Sequence, residues 1–413
     1  MNTLKAITIF AVIITSSLTA QSNSVYSRLG AGTPEYASNA RKAGMGDLGV
    51  SLIERDLVSP LNPASYGYLD LTRINFDMTM DAAFNKSSSL SKFYSGAYFN
   101  GLSLGFPVSS KYGIGVAMGM NRYTRIGYEI EQKSSNPTDS AGTFTTSYAG
   151  NGGITKFYLG TSYNAPYAGN IGMALNYYVT GLEYSSEVLF SSNSYVSTAF
   201  DKYTNTRGLG LTFGYISNDI SPLLNVEWLE DLRLGFSYDL ASTSKGESTL
   251  YYVIRDVNDT VRAGDAELKI PERMNLGLSF RAGNVKYYMD YLSQPWTKLA
   301  LNGSTFTEMQ DVYKISAGAE YNPKPVRGMP VEQFLWRGGV SYEKTPYVVS
   351  GNQINQLSVS LGMTYVMSYG NSLDFALIYS NRGTTDNNLI REDIIKFAVG
   401  LSLGELWFIR QER

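Results

Sequence analysis

LTRINFDMTMD, residues 71–81, is the segment that decides the fold, because apolar and polar side chains alternate in it without a break. Successive side chains of a β-strand point to opposite faces, so a period of two predicts a strand with one apolar and one polar face. The apolar face consists of Ile74, Phe76, Met78 and Met80, and the polar face of Arg73, Asn75, Asp77, Thr79 and Asp81.

The same alternation recurs along the chain up to a last segment that runs from Ile395 to Leu403. Counting the recurrences predicts about 14 strands of roughly 10 residues, the length that a tilted strand needs to cross a bilayer. We therefore predict an all-β protein, a transmembrane antiparallel β-barrel of about 14 strands. A soluble β-sandwich, whose strands also alternate, is the competing interpretation.

The connections between the predicted strands favour the barrel. Short turns on one rim and long loops on the other are typical of outer-membrane barrels, in which the short turns face the periplasm. Short patterns such as residues 249–254 indicate that some strands extend above the membrane. In this sequence short and long connections mostly alternate. The short ones are 108–111, 164–168, 282–284 and 367–371, and the long ones are 126–152, 184–204, 242–270 and 292–310.

Tyrosines in the apolar faces give a second argument for a barrel. They recur near strand ends, where aromatic belts form at the two interfaces of a membrane. The periplasmic set is Tyr163, Tyr215, Tyr321 and Tyr365, and the outer set is Tyr238, Tyr291, Tyr342 and Tyr379.

The N-terminus has the pattern of a secretory signal peptide, residues 1–20. Lys5 supplies the positive charge and residues 6–14 form the apolar core. Leu18-Thr19-Ala20 ends in small residues, as a cleavage site before Gln21 requires. The apolar run is too short to span a bilayer of roughly 30 Å, which argues against a membrane anchor. No later segment approaches the ~18 consecutive apolar residues of a transmembrane helix. We therefore expect an exported barrel in the bacterial outer membrane, in contact with its lipid.

The composition excludes several classes of function. The chain has no Cys and no His, so it lacks thiolate and imidazole metal ligands and every Ser-His or Cys-His catalytic pair. No paired-carboxylate motif replaces them. We expect no catalytic residue, metal site or cofactor, and no enzymatic activity. The net charge of −2 gives no basic face for nucleic acid.

Residues 21–68 show no sustained periodicity and precede the first clear strand. We expect them to form an N-terminal plug segment that reaches into a barrel made of residues 69–413. The stretch RKAGMGDLGVSLIERDLVSPLNPA, residues 41–64, is the centre of this plug, and we place it at the periplasmic mouth. Proline fixes φ and biases the residue before it toward extended geometry, while glycine permits close backbone contact. The plug residues of interest are Gly44, Gly46, Asn62, Pro63 and Ala64, the last three acting either as part of a gate or as a rigid entry to the first strand.

The polar strand faces bring charged residues into the predicted lumen. These residues form either a polar path that holds a ligand headgroup or a salt-bridge network that anchors the plug. The network is favoured, because buried charges destabilise a protein unless they are paired. Arg337 is the best candidate to bind a ligand carboxylate, through its two-pronged guanidinium group. The full set is Arg73, Asp77, Asp81, Asp290, Glu320, Arg337 and Lys396.

Several short motifs, taken together and in order, make the sequence similar to the FadL/TodX family of outer-membrane transporters for long-chain fatty acids and other hydrophobic molecules. They are Gly44-Met45-Gly46, Asn62-Pro63-Ala64, residues 270–277 (IPERMNLG), Asp290-Tyr291 with Trp296, and Arg337-Gly338-Gly339 up to Pro346. The resemblance implies a barrel with the predicted number of strands and passive uptake. In that mechanism a hydrophobic small molecule enters through the outer loops, shifts the plug and leaves through an opening in the wall.

The outer loops depart from that family. Residues 126–152 and 184–204 are polar and rich in Ser and Tyr, unlike an apolar capture site for fatty acids. Two functions therefore remain open. One is plug-gated passive uptake of a hydrophobic, fatty-acid-like molecule. The alternative is a barrel of the same family that acts in protein export with secretion-system partners, like the PorV cargo shuttle. Large ordered loops and no continuous cavity would favour the alternative.

Overall fold

The structure is a computed structural model that describes residues 24–88, 91–135, 143–190, 196–254, 257–323, 333–368 and 370–405. The predicted signal peptide, residues 1–20, lies outside these ranges. The helical elements are short: one α-helical turn, Ala40–Ala43, and the 3-10 helices Val25–Arg28, Pro63–Tyr68, Ser110–Tyr112, Ser221–Leu223, Trp296–Lys298 and Asp386–Asn388. Within the same ranges, no helix is both long and apolar enough to cross a bilayer.

All strands of the described ranges belong to one sheet of nineteen. They are β1 (Thr33–Pro34), β2 (Thr72–Lys86), β3 (Ser91–Ser109), β4 (Ile114–Ser135), β5 (Thr143–Ala165), β6 (Gly169–Phe190), β7 (Thr198–Ile216), β8 (Glu230–Ala241), β9 (Ser244–Ile254), β10 (Val257–Lys269), β11 (Arg273–Ala282), β12 (Val285–Gln294), β13 (Ala300–Leu301), β14 (Ser304–Thr305), β15 (Val312–Tyr321), β16 (Phe334–Val349), β17 (Asn352–Ser368), β18 (Asn371–Arg382) and β19 (Arg391–Glu405).

Fourteen of these strands, β2–β8, β11, β12 and β15–β19, form a closed antiparallel ring. The ring closes because β19 pairs with β2 along its length, from Arg391 opposite Lys86 to Glu405 opposite Thr72. Closure satisfies the backbone of both terminal strands, which a spanning sheet requires. Each alternating segment counted in the sequence lies in one ring strand. The predicted fold, an all-β barrel of about 14 strands with an N-terminal segment, is confirmed.

The two faces of the ring have opposite polarity. Outward side chains are large, apolar and exposed, as for Leu361 (63%) and Ile315 (56%), whereas the neighbouring Ser360 and Ser316 face inward and are buried. A soluble sandwich has its apolar face inside. An apolar outer belt around a polar interior is the pattern of strands that face lipid. We call the rim of short turns periplasmic and the opposite rim extracellular, as in other barrels of this kind.

On the extracellular side, one part of the sheet rises above the ring. Strands β4, β5 and β6 have 22, 23 and 22 residues, about twice the length needed to cross a membrane. Above the ring, β7 no longer pairs with β8 and pairs with β9 instead, and β9 pairs with β10. We call this raised sheet the crest, residues 126–135, 143–152, 182–190, 198–206, 244–254 and 257–264. The expected extension of strands above the membrane is present, and much of the predicted loops 126–152 and 184–204 is strand.

The lumen of the ring is filled by residues 24–70, which we call the plug. Its buried side chains join wall residues in several apolar clusters. The plug is irregular apart from its short helices and β1, which pairs with β4. The barrel core therefore consists of the plug and the inner face of the wall together.

Candidate functional site: the plug and the barrel wall

The plug crosses the whole lumen. At the extracellular end the Ser24 N–H donates to the Gly127 carbonyl at 3.0 Å. At the periplasmic end the Asn62 side-chain amide donates to the Tyr215 carbonyl at 3.1 Å. Residues 41–64 lie in the periplasmic half, where the sequence analysis placed them. The stretch before them continues to the extracellular mouth, because β1 pairs with the upper part of β4.

Gly44 and Gly46 lie where the plug backbone approaches the wall most closely. A Cβ atom on Gly44 would lie 2.9 Å from the Cα atom of Gly362, and Gly46 has a φ of +88°, which favours glycine. On the wall, a Cβ atom on Gly339 would lie 2.4 Å from the Gly46 nitrogen. Glycines on both sides therefore allow the two backbones to touch.

Asn62-Pro63-Ala64 forms a capped turn. Asn62 precedes the 3-10 helix Pro63–Tyr68, and its side-chain oxygen accepts the Ala64 N–H at 3.1 Å. Proline suits the first helical position because a backbone N–H at that position would have no acceptor within the helix. Two wall glycines, Gly172 and Gly214, make room for the turn, since a Cβ atom on them would lie 2.3 Å and 2.1 Å from its atoms. The motif is wedged against β6 and β7.

A cluster of buried charges joins the plug to the wall in the periplasmic half. Arg41 of the plug forms two 2.8 Å hydrogen bonds with Asp56 and reaches Asp374 of β18 at 3.1 Å. Arg337 of β16 contacts the same Asp374 at 3.3 Å and Glu320 of β15 at 2.8 Å. Glu54 of the plug also lies 3.2 Å from Arg41, so two guanidinium groups and four carboxylates form one network. Arg337, the sequence candidate for a ligand carboxylate, is paired with carboxylates of the protein itself.

Two of the predicted lumen aspartates accept backbone hydrogen bonds from the plug. Asp290 of β12 accepts the Gly49 and Val50 N–H groups, each at 2.9 Å. Asp77 of β2 accepts the Ala40 N–H at 2.9 Å, at the start of the α-helical turn. Both carboxylates hold plug N–H groups that would otherwise have no partner.

The other predicted residues form ion pairs. Lys396 of β19 and Arg125 of β4 both reach Glu35 of the plug, at 3.4 Å and 3.3 Å. Arg125 also pairs with Asp81 of β2 at 2.8 Å.

At the periplasmic end of the plug, Arg73 pairs with Asp70 at 2.6 Å. The structure thus brings six of the seven predicted lumen residues into contact with the plug or with one of its partners, and Glu320 joins them through Arg337.

Sequence reasoning missed several members of this site. Asp374 was recognisable, because it alternates with the apolar Leu373 and Phe375 in a predicted strand. Arg125 was not, because a bulge between Arg122 and Thr124 interrupts the period of two. The buried pair of Arg273 and Asp239, at 2.8 Å, is a further wall pair whose partners are far apart in sequence.

Two acidic groups of the plug titrate differently beside Arg41. Burial raises the pKa of the Glu54 carboxyl to about 7, although the Arg41 guanidinium at 3.2 Å acts in the opposite direction. Burial also acts to raise the pKa of Asp56, but the two hydrogen bonds and the charge of Arg41 outweigh it and hold that pKa well below its usual range. Of these two plug carboxyl groups, Asp56 is therefore the one whose charged form Arg41 stabilises more strongly.

The apolar residues that face the lumen pack against one another. Leu48 and Val50 of the plug belong to a cluster of fifteen buried side chains that includes Tyr178 and Trp296 of the wall region, both fully buried. This cluster fills its part of the lumen with packed side chains.

Two cavities flank that cluster. The inner cavity, about 40 Å³, has room for a few water molecules and is lined mainly by polar groups, among them Ser341, Ser358 and Lys396. The mouth cavity, about 320 Å³, opens at the extracellular end between the plug and the foot of the crest, with Leu182 and Phe306 in its lining. No residue lines both cavities.

The comparison with protein families decides where this chain belongs. A family model described as BamG matches residues 3–412. The chain belongs to the BamG family. A search of curated proteins found no match.

Solved structures show what fold this BamG-family chain has. The toluene transporters TodX of Pseudomonas putida and TbuX of Ralstonia pickettii are each 14% identical to it, with a TM-score of 0.58 over 90% of this chain and 99% of theirs. A FadL homologue of Pseudomonas aeruginosa is 12% identical, with a TM-score of 0.55 over 91% of this chain and 99% of that one. At these identities the likeness shows the fold alone. The expected resemblance to FadL/TodX therefore holds for the fold, while the family assigned by sequence is BamG.

The site of this BamG-family chain is chemically a set of paired charges and packed apolar groups. In the part of the chain that the structure describes, no group of three or more acidic side chains is arranged to hold a metal ion. The arrangement can hold the plug in place. Apolar side chains that the described chain leaves exposed outside the lipid-facing belt include those of the crest, such as Tyr148 and Phe200, and those of the periplasmic connection between β7 and β8, such as Leu223 and Trp228.

Proposed function

We propose that this chain is a plugged outer-membrane barrel that binds protein partners in outer-membrane protein assembly, and that it does not act as a channel. The observation that carries the proposal is the packed lumen. Apolar residues of the lumen that could line a passage for a hydrophobic molecule are buried in clusters with the plug, the main one of fifteen side chains. Such a molecule would have to displace these packed side chains and then cross an inner cavity lined by serines and Lys396.

The ion pairs add to the argument for a plug that stays in place. Moving the plug would separate Arg41 from Asp374 and leave Asp290 without its two N–H donors. Separating a buried pair costs about 3–5 kcal/mol when one charge is left uncompensated. We therefore take Asn62-Pro63-Ala64 as a rigid entry to β2 and not as a gate.

The family supports the choice of partner. The name BamG points to the outer-membrane β-barrel assembly machinery, BAM, so we take BAM components as the partners. This is the partner-binding alternative of the sequence analysis, with assembly partners in place of a secretion system. The crest supplies the large ordered extracellular structure that this alternative requires. We propose no enzymatic role, since the chain lacks His and Cys.

The test is purification of the tagged, full-length chain from outer membranes at its native level, in a mild detergent. We expect BAM components to co-elute in a fixed ratio to the chain, and depletion of the chain to lower the amounts of other barrel proteins in the outer membrane. Cells that lack the chain should take up labelled toluene and labelled fatty acid at the parental rate.

One observation favours uptake as a second candidate function. The mouth cavity of about 320 Å³ has apolar lining residues, among them Leu182, Leu268 and Phe306, and similar folds carry the name of toluene transporters. Slower uptake by cells that lack the chain, together with a chain that elutes without BAM components, would overturn our proposal in favour of this second function.

A further inference from the structure

The crest has an apolar face that looks inward over the extracellular mouth. One row across it consists of Ile130, Tyr148, Ser186, Phe200 and Tyr252, each opposite the next in the neighbouring strand. The rows above and below add Phe144, Phe190, Val188, Tyr184, Tyr128 and Leu250 to the same face. We call this surface the inner face of the crest.

The apolar side of the strands reverses between the ring and the crest. In β6, Leu175 and Tyr177 face outward in the ring, where they are 50% and 40% exposed. Higher in the same strand, Glu183 and Glu187 take the outward positions and Tyr184 takes an inward one. Lipid does not reach this height, because the outward residues are charged. An apolar face in this position needs a protein to cover it.

The plug covers the lower part of the inner face. The Tyr184 hydroxyl donates to the Gly30 carbonyl of the plug at 3.2 Å. Ile126, Tyr128 and Leu182, at the foot of the crest, are buried in one cluster. This part of the inner face is therefore already a surface on which an irregular stretch of polypeptide packs.

The upper part has no cover among the described residues. Tyr148 is 41% exposed and Phe200 is 44% exposed. The rings of Phe200 and Tyr252 lie 5.0 Å apart, and those of Phe144 and Phe190 5.9 Å apart, so the aromatic groups form continuous patches. Clustered aromatic side chains are characteristic of the centres of protein interfaces.

Charge divides the two faces of the crest. The inner face carries two exposed cations, Lys202 and Arg262, and the strand register also places Asp259 on it, opposite Tyr252. The ion pairs between described residues include neither cation. The outer face carries six acidic residues, Glu129, Glu131, Glu183, Glu187, Asp201 and Glu247, and two lysines, Lys133 and Lys245, so it is acidic on balance. A partner that meets the inner face would be complementary if it carried carboxylates.

The mouth cavity lies at the foot of this face. Lys202 and Arg28 belong to its lining, together with the apolar Leu29, Leu182 and Leu268. Its volume of about 320 Å³ accommodates a large apolar side chain with space to spare. The mouth cavity also has Glu308 in its lining. The inner face and the mouth cavity thus form one apolar surface, on which the cations Arg28, Lys202 and Arg262 outnumber the acidic Asp259 and Glu308.

We propose that the inner face of the crest is the docking surface for an extracellular segment of a partner protein, a segment with apolar side chains flanked by carboxylates. An apolar anchor of the partner occupies the mouth cavity, and its carboxylates pair with Lys202 and Arg262. The proposal rests on the proposed function and names the surface through which it operates. The plug covers the lower part of the same face, and the partner covers the upper part.

The test uses a photo-reactive phenylalanine analogue placed in the full-length chain in intact cells. Placed at Tyr148 or Phe200, it should give one discrete adduct with a single partner protein. The matched control is Tyr203, which is on the outer face of the same strand as Phe200 and should give none. The variant Lys202→Glu should lower the yield at position 148 about tenfold, the effect of losing an interface hot spot. A lysine in place of the cross-linked partner's carboxylate should restore it.

Folding is checked in every variant by heat-modifiable migration, and Lys202→Gln is the milder variant if Lys202→Glu fails to fold. Adducts from position 203 with none from 148 and 200 would overturn the docking surface and leave the assembly function standing. An adduct with lipid, or with a second copy of this chain, would overturn the proposed occupant. No protein adduct at any position, together with no co-eluting BAM component, would overturn both proposals.

Discussion

Strand β6 is built in opposite ways in its two halves. In the ring, Met173, Leu175 and Tyr177 face outward and are 40–50% exposed. In the crest, Glu183 and Glu187 face outward on the same strand. The backbone pairing with β5 and β7 is continuous through both halves. The medium around the strand therefore decides which of its faces is apolar. That medium is lipid around the ring and water around the crest.

The interior differs in the same way. Inside the ring, the chain covers its own inner face with the plug, through paired charges such as Arg41 with Asp374. Inside the crest, Tyr148 and Phe200 remain exposed. The ring is therefore internally complete, whereas the crest leaves part of its apolar inner face uncovered among the described residues, where we propose that a partner docks. Three pairs of substitutions test this comparison.

The largest effect is expected for Arg41→Ala in the ring lumen. The substitution removes the cation shared by the buried Asp374 and the half-buried Asp56, and leaves Asp374 only its 3.3 Å ion pair with Arg337 among the described residues. Breaking a buried pair costs about 3–5 kcal/mol of unfolding free energy. Denaturant unfolding of the chain in phospholipid vesicles measures the loss. The control is Lys298→Ala, which removes an exposed ion pair with Glu272 at 2.7 Å and should cause no measurable change. Equal stability of the two variants would mean that the plug does not hold the ring together.

A second pair of variants tests the reversal along β6 directly. Leu175→Arg places a charge on the lipid-facing side of the ring and should destabilise the barrel by about 2–4 kcal/mol. Ser185→Arg places the same charge on the outward side of the crest and should change stability by less than about 0.5 kcal/mol. The same unfolding experiment reports both values. A large loss for Ser185→Arg would show that lipid reaches the crest.

The smallest effect is expected for a single methyl group. Gly339→Ala puts a Cβ atom 2.4 Å from the Gly46 nitrogen of the plug, and overpacking of this kind costs about 1–3 kcal/mol. Gly264→Ala in β10 is the matched control, because a Cβ atom there meets nothing within 4 Å. It should be neutral or slightly stabilising. A neutral Gly339→Ala would mean that the plug can withdraw from the wall.

Much of the fold was predictable, because the ring depends on a local rule. Each ring strand repeats the alternation seen in residues 71–81, and lipid on one side enforces it over the full length of the ring. The candidate site was only partly predictable. The inward orientation of Asp77 and Asp290 could be predicted, because both lie on the polar face of an alternating strand. Their hydrogen bonds to Ala40, Gly49 and Val50 could not, because the plug is irregular and its sequence has no periodicity that predicts its path.

The sequence by itself determined the number of ring strands, the side of each strand that faces lipid, and the polar character of the lumen, because these properties follow from side-chain order within single strands. The tertiary structure alone decided which charges meet. Arg41 and Asp374 are separated by 333 residues, and their contact requires the closure of the ring around the plug. It also decided that β9 replaces β8 as the partner of β7 above the membrane, which creates the crest. Long-range packing sets such pairings. The order of residues within one strand does not predict them.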